Sequence, residues 1–325
     1  MSKPTAQTPA KARKSRRPNQ AKPNPPITKE PKMPIIIPKT IPAFSTLQER
    51  IFVMDTERAT TQDIRPLEIL LCNLMPTKIE TENQLLSLLA NSPLQVRITL
   101  LATQSYIGKN TPQSHLDRFY KYFSEIAHKR FDGAIITGAP IEHLAFEEVQ
   151  YWEELRGIMD FLRANVTSTM YLCWGAMAGL YHFHKIQKHA LSSKCFGIFA
   201  HKQCATSPLL MGLDDEVLMP HSRHSGIDEG AVARADDLCV LLAGEQSGAT
   251  MLKDSKDVFI LGHPEYAKDT LDKEYKRDQA NGLNTPKPTG YYAPNGEIMF
   301  QWRSSASVIF SNWLNLVYQD TPFLL

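Results

Sequence analysis

From residue 67 onward, short apolar runs alternate with stretches whose apolar residues recur at helical spacing. LEILLCNL (67–74) is apolar on both faces, as a strand buried on both sides must be. Pro76 follows, then a helix predicted from Thr77 to about Asn91, with Thr77 and Glu80 spaced as a capping box. VRITLLA (96–102) predicts a second strand, and residues from Pro112 to about Ala127 a helix. DGAIITG (132–138) predicts a third strand, Glu147 to Asn165 an amphipathic helix, and TSTMYLC (167–173) a fourth strand that runs into a further helix. Such alternation predicts an α/β fold, a doubly wound parallel sheet. Residues 185–230 keep neither period and read as loops with short elements. LCVLLAG (238–244) and ATMLK (249–253) predict a hairpin beside VFIL (258–261). A helix from about Asp269 to Gln279, a Pro/Gly-rich loop over 282–296 and a helix from about Ser305 to Tyr318 complete the pattern.

Ligands gather at the carboxyl ends of the strands in sheets of this kind. NLMP, TGAP, Cys173 and GHPE all fall at such ends. In VTSTMYLCWGAMAGL (166–180) a β-branched run leads into Cys173, and Gly175, Ala176, Ala178 and Gly179 follow. Small residues after the turn let helix and strand approach closely, with a nucleophile on the bend. The helix N-terminus turns its free N–H groups toward the sulfur and favours thiolate. A lone cysteine ending an apolar strand is by itself ordinary core. GHPEY (262–266) changes that reading, because His263 supplies a base and Glu265 a carboxylate to orient it, a set suited to acyl transfer through a thioester. The backbone N–H of Trp174 is placed for an oxyanion, and Gly138 lets a second strand end approach. No Rossmann fingerprint, P-loop or metal-ligand spacing is visible, so no metal or cofactor is expected; His182 and His184, an i, i+2 pair, face differently. HSRH (221–224) reads as a substrate-lining loop.

Charge and composition alter this picture at one end only. The formal net charge is +2, yet residues 1–34 hold nine Lys/Arg and one acid, Glu30, leaving 27 basic and 33 acidic side chains for the body. Residues 1–32 contain one large aliphatic residue, Ile27, and no aromatic, so a disordered, basic, Pro-rich tail is expected there and a single folded domain over 33–325. The acidic body gives no reason to require nucleic acid. Five cysteines without a CxxC spacing favour a reducing compartment, and no apolar run is long enough to cross a bilayer. A cytoplasmic protein with no membrane partner is the expectation.

The stretches NLMPTKIETENQLLSLLANSPLQVRITLL (73–101), FDGAIITGAPIEHLAFEEV (131–149), CWGAMAGL (173–180), PHSRH (220–224), GHPEY (262–266) and FSNWLN (310–315) closely resemble the homoserine O-transacylases of methionine biosynthesis. The resemblance covers about residues 33–323. It implies a flavodoxin-like, class I glutamine-amidotransferase-like fold, and a homodimer acting on small-molecule substrates, an acyl-CoA and homoserine. It implies acetyl-CoA as co-substrate and a ping-pong route, with Cys173 as the acylated residue, His263 as base and Glu265 as its partner. Lys78 matches an oxyanion-site lysine; Lys194 and Ser222 match acceptor-binding residues; Arg277 matches the arginine that grips the acceptor carboxylate, a task suited to a guanidinium. Glu142 matches the residue that sets acyl-CoA specificity, acetyl-using members carrying a glutamate there and succinyl-using members a glycine. A fixed carboxylate about 5 Å from a succinyl carboxylate costs about 3 kcal/mol at an effective dielectric near 20, which favours acetyl. Succinyl-CoA as donor, L-serine as acceptor and a glutamine amidase-type hydrolase remain alternatives. The chain departs from the family pattern at Met177, Ala200, Ala267 and Ser305, the first two of which are expected near the acceptor pocket.

Overall fold

The computed structural model describes residues 35–48, 53–54, 65–105 and 110–322. The proposed tail and its boundary near residue 32 lie outside them. Among the described residues twelve strands form one sheet: β1 (Ile35–Ile36), β2 (Val53–Met54), β3 (Leu67–Cys72), β4 (Val96–Leu101), β5 (Tyr120–Lys121), β6 (Gly133–Ile136), β7 (Ser168–Leu172), β8 (Lys188–Gln203), β9 (Glu216–Ile227), β10 (Cys239–Gly244), β11 (Gly248–Lys253) and β12 (Val258–Ile260). The order is β2-β1-β4-β3-β6-β7-β12-β11-β10-β8-β9, with β5 added beside β4. Pairings from β2 to β12 are parallel, as are those of β5; those from β12 to β9 are antiparallel. The fold is α/β, with a sheet parallel in one half and antiparallel in the other.

Side chains on successive strand residues alternate between two cores. Leu67, Ile69 and Leu71 of β3, Met170 and Leu172 of β7, and Val258 and Ile260 of β12 face one layer. There they meet α1 (Pro42–Gln48), α2 (Lys78–Leu89) and the C-terminal α9 (Arg303–Asp320), through Leu85, Leu86, Phe310 and Trp313. Leu70, Tyr171 and Phe259 face the other layer, against α5 (Trp152–Asn165) and α6 (Trp174–His184). Burial on both faces is why apolar residues stand at successive positions of these strands, with Glu68 of β3 and Ser168 and Thr169 of β7 the exceptions. The chain passes from β3 to β4 on one side and to β6 on the other, so the topological switch lies between β3 and β6. The ends of these strands are tied together where Leu74 N–H donates to Thr137 Oγ1 at 2.8 Å.

Four expectations need correction. The helix expected over 112–127 is two short ones, α3 (Gln113–Phe119) and α4 (Phe123–Ile126), separated by β5. Tyr120 interrupts it because its buried hydroxyl is held by Glu82 and Asn73. Thr77 does not cap α2 with its side chain; the first helical N–H, that of Lys78, instead meets Thr111 Oγ1 at 3.3 Å. Residues 185–230 are mostly a long antiparallel pair, β8 and β9, and HSRH sits within β9 rather than in a loop. The helix expected from Glu147 begins at Trp152, after a short 3-10 turn at Phe146–Glu148. The hairpin β10–β11 beside β12 forms as expected, and the helix near Asp269 is α8 (Thr270–Ala280), after α7 (Glu229–Arg234).

Candidate active site

Cys173 sits between β7 and α6 with φ 47° and ψ −114°. A non-glycine residue with this backbone is strained by about 1–3 kcal/mol, and surrounding packing must hold it. The hold is visible on both sides. Cys173 N–H donates to Ile260 O at 2.7 Å. A Cβ on Gly175 would lie 2.6 Å from Thr137 O, so the second residue after Cys173 has no room for a side chain. A Cβ on Gly138 would stand 3.2 Å from Cys173 Cβ and 3.6 Å from Trp174 N. The end of β6 thus presses against the elbow, beside the free N–H groups of the first turn of α6.

His263 follows β12, the strand next to β7, and its Nδ1 lies 2.7 Å from Glu265 Oε1. Cys173 follows the neighbouring strand β7, near enough for its charge to act on the His263 ring. All three side chains are buried. Burial disfavours the imidazolium, but the adjacent Cys173 and Glu265 outweigh it, and the His263 pKa is raised well above its usual value. Tyr266 covers the imidazole, with ring centroids 4.1 Å apart and planes at 19°.

The three residues expected to bind an acceptor gather around α8. Lys194 Nζ reaches Asp278 Oδ2 at 3.2 Å, and Arg277 meets Asp278 Oδ1 at 2.8 Å. Ser222 Oγ donates to Glu274 Oε2 at 2.5 Å, and the other oxygen of Glu274 accepts from Tyr266 OH at 2.8 Å. A hydrogen-bonded path therefore runs from Ser222 to the ring stacked on His263. The ion pairs keep the Asp278 pKa down despite burial. Arg277 is 62% exposed, whereas Lys194 is 8% exposed.

Glu142 does not face solvent freely. Its Oε2 accepts from the backbone N–H groups of His224 and Ser225, both at 2.8 Å, and its carbonyl accepts from Lys188 Nζ at 2.6 Å. The carboxylate ties the loop after β6 to β9. Lys78 lies at the switch-point end of β3, its Nζ donating to the carbonyls of Asn73 and Met75 and lying 5.4 Å from the Tyr120 ring centroid. Burial pushes its pKa down to about 8, with Cys72 and Glu82 opposing.

The family described as Homoserine O-succinyltransferase matches residues 34–323. The chain belongs to this family. It is 55% identical to a homoserine O-acetyltransferase of Campylobacter jejuni over 297 residues, 90% of this chain and all of that one. It is 51% identical to homoserine O-acetyltransferase 1 of Ilyobacter polytropus over 301 residues, 90% of this chain and all of the relative. Among solved structures, a glutamine amidotransferase from Thermotoga maritima superposes with a TM-score of 0.53 at 8% identity, covering 78% of this chain and 99% of the other. That likeness establishes a class I glutamine-amidotransferase-like fold.

In this homoserine acyltransferase, several site neighbours carry no sequence signal. Glu274 and Asp278 read as solvated helix charges until α8 is packed against β8 and β9. Tyr266 stood in the GHPEY segment, but its stacking on His263 needed the turn after β12. A buried set, His201, His221 and Arg223, also escapes periodicity: His201 Nε2 lies 3.1 Å from His221 Nε2, and Arg223 Nε donates to His221 Nδ1 at 3.2 Å. His182 and His184 turn to separate carboxylates, Asp160 and Asp254. Of the departures from the family pattern, Met177 is buried in the apolar core around α6, Ala200 is exposed on β8, and Ser305 Oγ donates to Leu218 O. Among the described residues no helix is long and apolar enough to cross a membrane.

Proposed function

We propose that the enzyme transfers an acetyl group from acetyl-CoA to the hydroxyl of L-homoserine by a ping-pong route through an acetyl-Cys173 thioester. The observation that carries this reading is Cys173 on a strained elbow at the end of β7, beside the strand that leads to the His263–Glu265 pair. In the first half, the Cys173 thiolate attacks the thioester carbonyl. The new sulfur–acyl bond replaces the one to CoA, and the departing CoA sulfur takes the proton from His263. In the second half, His263 removes the proton of the homoserine hydroxyl as its oxygen attacks the acyl-enzyme, and Cys173 leaves as thiolate. Glu265 holds the imidazole tautomer. The Trp174 N–H and Lys78 stabilise the oxyanion, the lysine doing so while protonated, below its pKa of about 8.

Lys194, Ser222 and Arg277 hold the acceptor, Arg277 pairing with its carboxylate; the exposed guanidinium is free to swing from Asp278 toward a ligand. Glu142 sets the donor by repelling a distal carboxylate. Succinyl-CoA is the second reading, since the family description names a succinyltransferase; the glutamate at 142 and the relatives named acetyltransferases favour acetyl. A homodimer in the cytoplasm is part of the same proposal, and light scattering tests the dimer. The direct test incubates the protein with acetyl-CoA or succinyl-CoA alone and measures intact mass. An acetyl adduct on Cys173, discharged by homoserine but not serine, is expected. A mass unchanged by either donor would refute the thioester route.

A further inference from the structure

A cavity of about 650 Å³ is lined by neither the proposed triad nor the residues around α8. Its walls come from the start of β8 at Lys188 and Leu191, the end of β9 at Arg223, the β10–β11 turn at Ser247, and Leu261 at the end of β12. Leu261 follows β12 and stands two residues before His263.

Arg223 is 2% exposed, and among the described residues it has no carboxylate partner. Its Nε donates to His221 Nδ1 at 3.2 Å, Nη1 to Ser225 O at 2.6 Å and Nη2 to Ser247 O at 2.6 Å. A guanidinium carries five N–H donors, so these bonds leave donors over in the cavity wall, where a ligand carbonyl would satisfy them. The same wall frames Glu142. Lys188 donates to its carbonyl, Ser225 N–H to its carboxylate, and Ser225 O accepts from Arg223. The cavity and the residue proposed to read the acyl group thus share one support.

We propose that this cavity takes the pantetheine arm of the acyl-CoA donor and leads its thioester past Glu142 to Cys173. This assignment rests on the acyl-transfer reading above. Charge decides which part of the donor fits. The charged side chains of the wall are Lys188 and Arg223 against Asp228, Glu229 and Glu245. With anions in excess there is no field to hold a nucleotide diphosphate. The pantetheine arm is uncharged, with amides that need donors and acceptors along an apolar floor. Arg223 and the backbone of the β10–β11 turn offer the polar groups, and Leu191, Ile227 and Leu261 the floor. The nucleotide then stays outside, toward solvent.

The test compares acylation of Cys173 by acetyl-CoA, acetyl-pantetheine and the acetyl thioester of N-acetylcysteamine, which lacks most of the arm. It uses the full-length enzyme and two variants that fill the cavity from opposite walls, Leu191→Trp and Gln246→Trp. In the parent, acetyl-pantetheine should retain most of the apparent affinity of acetyl-CoA. In each folded variant, KM for acetyl-CoA and acetyl-pantetheine should rise about tenfold or more. Acylation by the short thioester should stay unchanged, which also reports an intact triad. Unchanged KM values in both variants, or an equal loss with the short thioester, would overturn the assignment while leaving acyl transfer standing. Failure of all three thioesters to acylate the parent would remove the acyl-transfer reading, and this assignment with it.

Discussion

The two halves of the sheet do different work with different materials. The parallel half, β1 to β7 with β12, packs an apolar core on each face and carries the proposed nucleophile at a strained turn. The antiparallel half, β8 to β11, carries ions and polar networks: Lys194 with Asp278, Ser222 with Glu274, and Arg223 with His221 and His201. His263 stands at the seam, since β12 pairs parallel with β7 and antiparallel with β11. The proposed nucleophile is thus positioned by close packing, whereas the proposed substrate contacts are fixed by charge. Packing tolerates little change; charge pairs can be exchanged and their strength depends on pH.

Two substitutions in the parallel half test the first statement. Cys173→Ser should lower turnover by about a thousandfold or more, because a hydroxyl is a far weaker nucleophile at neutral pH, and should leave the melting temperature nearly unchanged. Retention of a tenth of the activity would refute the thioester mechanism. Gly175→Ala should act oppositely, on the fold first. The new methyl would stand 2.6 Å from Thr137 O, a backbone atom that cannot step aside. A stability loss of about 1–3 kcal/mol is expected in denaturant unfolding, with activity lost as the elbow shifts.

In the antiparallel half, Asp278→Asn should leave the first half-reaction intact and impair the second. It removes the anion between Lys194 and Arg277 and leaves the buried ammonium of Lys194 without its counter-charge. KM for homoserine should rise about 10–100-fold while the rate of acyl-enzyme formation is kept. Equal losses in both half-reactions would mean that the α8 cluster supports the triad rather than the acceptor.

The same division explains what could be read from the chain. Small residues after Cys173 and the apolar run before it are direct marks of a close strand–helix approach, so the elbow was legible. GHPE was legible because His263 and Glu265 are neighbours in sequence. The long pair β8–β9 was not, since its exposed positions dilute both periods and its polar inward positions, His201, His221 and Arg223, satisfy one another only once the strands are in register. Lys194 and Arg277 could be singled out only by family resemblance, because a charge on a strand or helix looks solvated until its setting is placed, and the partner of Lys194, Asp278, is 84 residues away.

Glu142 crosses the two halves, and its anchoring refines the donor argument. A carboxylate already accepting two backbone N–H groups is partly neutralised, so its repulsion of a succinyl group should fall below the about 3 kcal/mol of a bare charge at 5 Å. Glu142→Gln removes the charge but keeps an oxygen for the same N–H groups, whereas Glu142→Gly removes both. The ratio of kcat/KM for succinyl-CoA over acetyl-CoA should rise about tenfold in both variants, with a larger loss of acetyl use in the glycine variant. A ratio unchanged in Glu142→Gln but raised in Glu142→Gly would assign the selectivity to space instead of charge.

The smallest effect concerns the buried histidines of β8 and β9. Burial pushes the His201 pKa down to about 4, with the bond to Val217 O opposing and Arg223 adding to it. His221 is likewise held well below its usual value, by burial and by Arg223, His201 and His263. Below pH 6.5 the unfolded chain takes up protons at these positions and the folded one does not, so their contribution to stability falls as pH drops toward about 4. His263 has the opposite sign: its pKa is raised, its contribution is complete below pH 6.5, and it is lost only as pH rises. It therefore cannot mask the acid trend. Other carboxylates titrate in the same window, which makes a difference measurement necessary. Unfolding free energies at pH 6.5 and 5.5, compared between the parent and His201→Gln, isolate the site. The parent should lose about 1 kcal/mol more than the variant over that interval, since each such histidine contributes at most about 1.4 kcal/mol per pH unit. Identical slopes would show that His201 accepts a proton in the folded state, and that the polar half of the sheet opens to water more readily than its burial implies.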